Sequence, residues 1–221
     1  MKTSLLPIAS FAVASAIVLT IFAFSTRLPK ERAGQTQNSD TLTISEPTVT
    51  FADPVLGKGG APITIVEFGD YQCEACKDFS ESFALLRAEM PDSIRLVWKD
   101  FPNDSAHIFA RDAAISAHCA GRQGMYWEFH DKLFTQQDSL SPTTLPSIAE
   151  ELKLDAEMFN ECVSTRETEP LVDRGLEEAL ALRLTASPTI FIAGERYVGA
   201  MTAEELEKIV REKLITTKQG L

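Results

Sequence analysis

The period of the apolar positions changes several times along this chain, and each change predicts an element. From Leu5 to Phe24 the residues are apolar apart from small hydroxyl side chains, and a run of that length crosses a bilayer as a helix. Residues 33 to 50 are polar and unpatterned, which predicts a flexible tether. Ile63 to Phe68, β-branched and apolar and entered through Gly59, Gly60 and Pro62, reads as a buried strand. Ala75, Phe79, Phe83 and Leu86 then recur at helical spacing until Pro91 closes the segment. Ile94 to Trp98 reads as a second strand, so strand, helix and strand form a parallel pair with a right-handed crossover.

The middle of the chain is helical by the same reading. Helices are expected over 105–120, 124–136, 143–153, 155–164 and 169–184, broken by Gly121, Gly124, Pro142 and Pro170. Thr189 to Ile192 and Glu195 to Val198 predict a strand pair around Ala193-Gly194. A last helix carries Leu206, Ile209, Val210 and Leu214 on one face. The ends therefore supply a β-α-β unit and a β-β-α unit of one mixed α/β sheet, and residues 105–185 are expected to be a helical insertion between them. No internal repeat is visible.

Composition changes this picture only a little. The net charge of -11 over 221 residues excludes broad nucleic-acid binding, which needs a clustered basic surface. The first apolar run is longer than the core of a cleavable signal, and Ala23-Phe24-Ser25 is a weak cleavage pattern, so residues 1–32 are expected to be an uncleaved membrane anchor rather than a signal. Arg27, Lys30 and Arg32 beyond the run favour a cytoplasmic side; Lys2 and the amino terminus oppose them. Four cysteines in a redox-active chain fit an oxidising compartment better, which places the remainder outside the cytoplasm, in the periplasm or cell envelope.

The chemistry centres on Cys73-Glu74-Ala75-Cys76, where the first strand and a short turn meet a helix. At a helix start the unpaired N–H groups and the positive end of the dipole favour thiolate over thiol, so Cys73 is the expected nucleophile. Cys76, one turn deeper, is placed to resolve a mixed disulfide. The alternatives are a fixed disulfide or half of a zinc site, and a zinc site needs a second short-spaced ligand pair. Cys119 and Cys162 lie far apart in sequence and fit either buried small residues or a structural disulfide. His107 and His118 stand about 16 Å apart along one helix, too far to share an ion, and surface or packing roles are expected for them and for His130. Neither metal nor cofactor is expected.

Ile63 to Phe68 followed by Asp70-Tyr71-Gln72-Cys73 and Cys76 resembles the DsbA-like family of thioredoxin-fold proteins. Lys99-Asp100-Phe101-Pro102, the Trp127 to Phe134 segment and Ser187-Pro188-Thr189 resemble it as well, over roughly residues 51 to 215. The resemblance implies a thioredoxin-like domain from 51–104 and 186–217, and disulfide exchange on exported cysteine-containing client proteins. It also implies a membrane redox partner that re-oxidises or reduces the pair. Statistics alone make the Ser187-Pro188 bond trans; the family implies cis, with Ser187 and Pro188 facing the redox pair and offering backbone to a substrate strand.

Glu67 interrupts a strand otherwise suited to burial. It is either an edge or lysine-paired charge, or, as the resemblance implies, a buried acid that helps Cys76 lose its proton, with Lys99 as partner. The chain departs from the family's frequent pattern at Glu74 and Ala75. A carboxylate there opposes thiolate formation, so a weaker oxidant is expected. Oxidation of clients is the expected direction, with a reductase or isomerase, or a non-catalytic metal- or protein-binding module, as alternatives. The tether is too short for a separate dimerisation domain, so a monomer is expected.

Overall fold

The computed structural model describes residues 44–219. The anchor expected at residues 5–24, and the tether up to residue 43, lie outside the described residues. Among the described residues no helix is long and apolar enough to cross a membrane.

Five strands form one mixed sheet in the order β1-β3-β2-β4-β5. They are β1 (Val55–Gly57), β2 (Ile63–Gly69), β3 (Ile94–Asp100), β4 (Thr189–Ile192) and β5 (Glu195–Val198). Only β2 and β3 run parallel, joined by helix α1 (Glu74–Glu89); every other neighbouring pair is antiparallel. The central position of β2 follows from its composition, because a strand buried on both faces needs apolar residues on both. β1 was not expected: three residues are too few for alternation to register, and its pairing with Val97, Leu96 and Arg95 is purely tertiary.

Side-chain alternation divides the core into layers. Ile63, Ile65, Ile94, Leu96, Ile190 and Ile192 point to one face, where they bury against Phe79, Phe83 and Leu86 of α1 and against Leu206 and Val210 of the last helix, Ala203–Gln219. Val66, Phe68, Val97 and Phe191 point to the other, under Ala179 and Leu182. The helices between the two sheet units are α2 (Ala110–Gly121), α3 (Tyr126–Thr135), α4 (Thr144–Glu151), α5 (Ala156–Ser164) and α6 (Glu169–Ala181), and α7 is the last helix. Trp98 and Tyr71 tie the redox end of the sheet into the core of this insertion.

Two expectations need correction. The helix expected from residue 105 begins at Ala110. Residues 103–109 form turns instead, because His107 and the Phe109 N–H are engaged by Asp70 and Gln72 rather than by a helical ladder. Ile108, within the expected helix, lies outside the observed one and is 73% exposed. The end of the expected tether is also docked: Thr48 donates from its N–H and its hydroxyl to Glu178 Oε1 at 2.6 and 2.7 Å, and Ile44 packs against the apolar layer under α6.

Candidate active site

β2 ends at Gly69, and three residues, Asp70, Tyr71 and Gln72, lead to Cys73, which caps α1. Its backbone is extended (φ -82°, ψ 119°) and its Sγ accepts the Cys76 N–H at 3.3 Å. Ser, Thr or Asp ordinarily occupy this position, using a side-chain oxygen to satisfy a free helix N–H. Here sulfur does so, and a thiolate accepts better than a thiol, so ionisation and the helix start support each other.

The two sulfurs differ sharply. Cys73 retains a small opening to solvent, while Cys76 is fully buried. Hydrogen bonding from Cys76, side chain first and backbone N–H after it, brings the Cys73 thiol down to about 6, against the contrary pull of burial and of the Asp70 carboxylate. Ser187 acts in both senses: its side chain adds a smaller push toward the thiolate, whereas its carbonyl, 3.4 Å from Cys73 Sγ, accepts from the thiol form. Burial pushes the Cys76 thiol far above its ordinary range, and hydrogen bonding to Cys73 and the charge of Glu67 add to it. Both cysteines are free thiols in the structure. The negative charge nearest the nucleophile in effect is that of Asp70; Glu74, next to Cys73 in sequence, is exposed.

Ser187-Pro188 is a cis peptide. It precedes β4, so the loop that enters β4 sets the Ser187 carbonyl against Cys73.

Glu67 is fully buried, and neither carboxylate oxygen has a hydrogen-bond partner. Burial first, and the Cys73 charge second, hold its carboxyl well above the usual carboxylate range. Lys99 does not serve it. In the β2–β3 register Glu67 lies beside Trp98, and Lys99 beside Phe68, so alternation turns the lysine to the opposite face. There its Nζ meets Asp53 at 2.9 Å and Glu178 at 2.8 Å.

Sequence reasoning missed the side chains that hold the turn before Cys73. Asp70, almost fully buried, accepts the Gln72 N–H at 2.7 Å through one oxygen, and the Asn103 N–H at 2.7 Å and His107 Nδ1 at 2.8 Å through the other. Gln137, from the short turn after α3, donates to the carbonyls of Tyr71 and Cys73 at 2.9 and 3.0 Å. No spacing rule connects residue 137 with residue 73; only the packing of the insertion does. His118 is buried against Asp100, with Nε2 and Oδ2 2.7 Å apart, and His130 is enclosed by Tyr71, Trp98 and Phe134. Among the described residues no three metal-ligating side chains cluster. Cys119 and Cys162 are joined as a disulfide between α2 and α5, with Cα atoms 5.8 Å apart.

A cavity of about 580 Å³ beside the first turns of α1 is lined by Gln72, Glu74, Lys77, Asp78 and Gln137 among others, so the ground next to the nucleophile is polar and mostly acidic. A more apolar cavity of about 520 Å³, lined by His118, Tyr126 and Trp127, includes neither cysteine and lies apart from the sulfur chemistry.

The family profile described as thioredoxin matches residues 50–212. Among curated proteins, the chain is 30% identical over 208 residues to a protein of Salinispora arenicola named Na(+)/H(+) antiporter NhaA 1, and 35% identical over 167 residues to one of the same name from Mycolicibacterium gilvum. These matches cover 93% and 75% of this chain but 32% and 27% of the relatives, so the chain spans less than a third of their length. Among solved structures, oxidised BdbD from Bacillus subtilis aligns with TM-score 0.69 at 24% identity, covering 78% of this chain and 98% of that one. Wolbachia pipientis alpha-DsbA1 aligns with TM-score 0.70 at 21% identity, covering 78% and 96%.

Proposed function

This chain belongs to the thioredoxin family, with the DsbA-like form of the fold that carries a helical insertion, and we propose that it is a thiol-disulfide oxidoreductase that oxidises dithiols of exported proteins. The observation that carries the reading is the sulfur of Cys73 acting as the cap of α1 above a buried Cys76.

In the oxidised enzyme Cys73 and Cys76 share a disulfide. A client thiolate attacks Cys73 Sγ, the S–S bond breaks, and Cys76 leaves and takes up a proton. In this reading Glu67, whose carboxyl holds its proton more readily than an ordinary one and feels the charge of the pair, supplies it. A second client thiolate attacks the client sulfur of the mixed disulfide, and Cys73 leaves as the thiolate that the helix start favours. The client loses two electrons and gains a disulfide; the pair gains the two electrons. A membrane redox partner that accepts them completes the cycle. The cis Ser187-Pro188 turn, whose Ser187 carbonyl lies beside Cys73, offers its backbone to an extended client segment.

A stabilised Cys73 thiolate favours the reduced pair and hence oxidation of clients. The Cys119–Cys162 disulfide supports an extracytoplasmic site, since such bonds persist in oxidising compartments, and residues 5–24 are the proposed anchor. The test is oxidation of a reduced dithiol client by the purified protein, with Cys73→Ser as control. Stoichiometric oxidation by the wild type alone supports the reading; no oxidation but rapid disulfide reduction makes the chain a reductase or isomerase.

The names of the sequence relatives favour a second reading of the partner, that the domain acts on the thiols of a Na(+)/H(+) antiporter. A mixed disulfide between Cys76→Ser protein and such a transporter, absent with Cys73→Ser, is the result expected of that reading.

A further inference from the structure

Besides Gln137, one carboxylate holds the turn that presents Cys73. Asp70 lies between β2 and the nucleophile, its backbone carbonyl accepts the Cys73 N–H at 3.1 Å, and its side chain reaches across to the segment that precedes α2. Two of the three donors to that side chain are backbone N–H groups, and the third is His107 Nδ1. His107 is 28% exposed in its side chain whereas the Asp70 side chain is fully buried, so the histidine closes the carboxylate off from water. The next residue but one continues the same contact, the Phe109 N–H donating to Gln72 Oε1 at 2.6 Å.

We propose that His107 is a positioning residue for the redox centre: by donating to Asp70 it fixes the Asp70–Cys73 turn and satisfies the carboxylate whose charge otherwise bears on the Cys73 sulfur. This deepens the proposed thiol chemistry and rests on it. The charged neighbours of His107 along its own segment are engaged elsewhere, Arg111 being held by Asp104 at 2.8 Å and by Asp173 at 2.6 Å, so Asp70 is the anion the imidazole serves. An anion near a thiolate disfavours it, and a hydrogen bond that spreads the anion's charge relieves that effect. Loss of the imidazole therefore makes Cys73 less acidic, and loss of the Asp70 charge makes it more acidic. The two substitutions act in opposite directions, which simple loosening of the turn does not produce.

The experiment is the pH profile of Cys73 alkylation in the full chain, read by mass spectrometry. His107→Ala is expected to raise the midpoint by about half a pH unit, roughly a threefold loss of thiolate well below the midpoint. His107→Asn, which retains a donor near the Nδ1 position, restores most of it. Asp70→Asn lowers the midpoint, and adding His107→Ala to Asp70→Asn moves it no further upward. A wild-type midpoint near that of free cysteine overturns the underlying thiol reading. A depressed wild-type midpoint that His107→Ala leaves unchanged, that His107→Asn fails to restore, or that rises equally in the Asp70→Asn background overturns the role of His107 alone. Where Asp70→Asn does not fold, the Ala and Asn variants of His107 still decide it.

Discussion

Moving the capping sulfur of Cys73 away from its helix N–H has a consequence that is worked directly from the site. The thiol titrates at about 6 rather than at the ordinary 9.0. At neutral pH that raises the thiolate fraction from about 1% to about 90%, yet the more acidic sulfur is intrinsically less nucleophilic, by a factor of about 15 to 30 over three pH units. The two effects leave an advantage of only about three- to sixfold at pH 7. At pH 5.5 the fraction differs by about 700-fold, and the net advantage grows to roughly 25- to 50-fold. Acid pH is therefore where the claim is decided. Iodoacetamide alkylation of the reduced protein, with a short cysteine peptide as reference, is expected to show a midpoint near 6 for Cys73 and no reaction at Cys76. The same shift links to stability. A depressed folded-state value stabilises the reduced fold fully above the unfolded value of 9.0, and that contribution is lost as pH falls through about 6. At pH 7 it amounts to at most about 1.4 kcal/mol, equivalent to about 30 mV toward the oxidising side. Parity with the reference peptide at pH 5.5, or a midpoint of 8 or above, refutes the capping argument.

Glu67→Gln removes a carboxyl whose folded-state titration lies above its unfolded value, so the wild-type fold is penalised increasingly as pH rises past 4.5. The variant is expected to have a higher Tm at neutral pH, together with slower formation of the mixed disulfide from the oxidised pair; an unchanged rate across pH removes Glu67 from the proton transfer. Replacing Cys119 and Cys162 together by alanine opens a loop of sequence separation 43 and is expected to lower stability by about 4 kcal/mol in the chain-entropy account, measured by denaturant unfolding. A loss below about 1 kcal/mol contradicts that account. Lys99→Met leaves Asp53 and Glu178 without the buried cation they share and is expected to cost about 3–5 kcal/mol, with Cys73 alkylation unaffected at permissive temperature; altered alkylation means that the lysine communicates with the redox pair after all.

Local pattern sufficed for the strand that carries Glu67, the helix that starts behind Cys73, and the run of helices before β4, because each is written in consecutive residues as period, breaker and cap. A Cys73 thiol at about 6 lies between the values of about 3.5 and 7 for the strongest oxidant of this fold and for thioredoxin. The carboxylate that bears on it is buried Asp70, a residue the local pattern around the redox pair did not single out, while Glu74 is exposed, where water screens its charge.

What the amino-acid order determined by itself is the strands and helices of the two sheet units and the position of the redox pair at a helix start. What only the tertiary structure decided is which side chains meet across the chain. Register, not composition, sent Lys99 to Asp53 and Glu178 and left Glu67 unpartnered. The packing of the insertion brought His107 to Asp70, Gln137 to the Cys73 carbonyl and Cys119 to Cys162. The physical reason is range: capping and periodicity act within a turn or two, whereas a hydrogen bond between residues 64 positions apart exists only once the intervening helices have closed over the sheet.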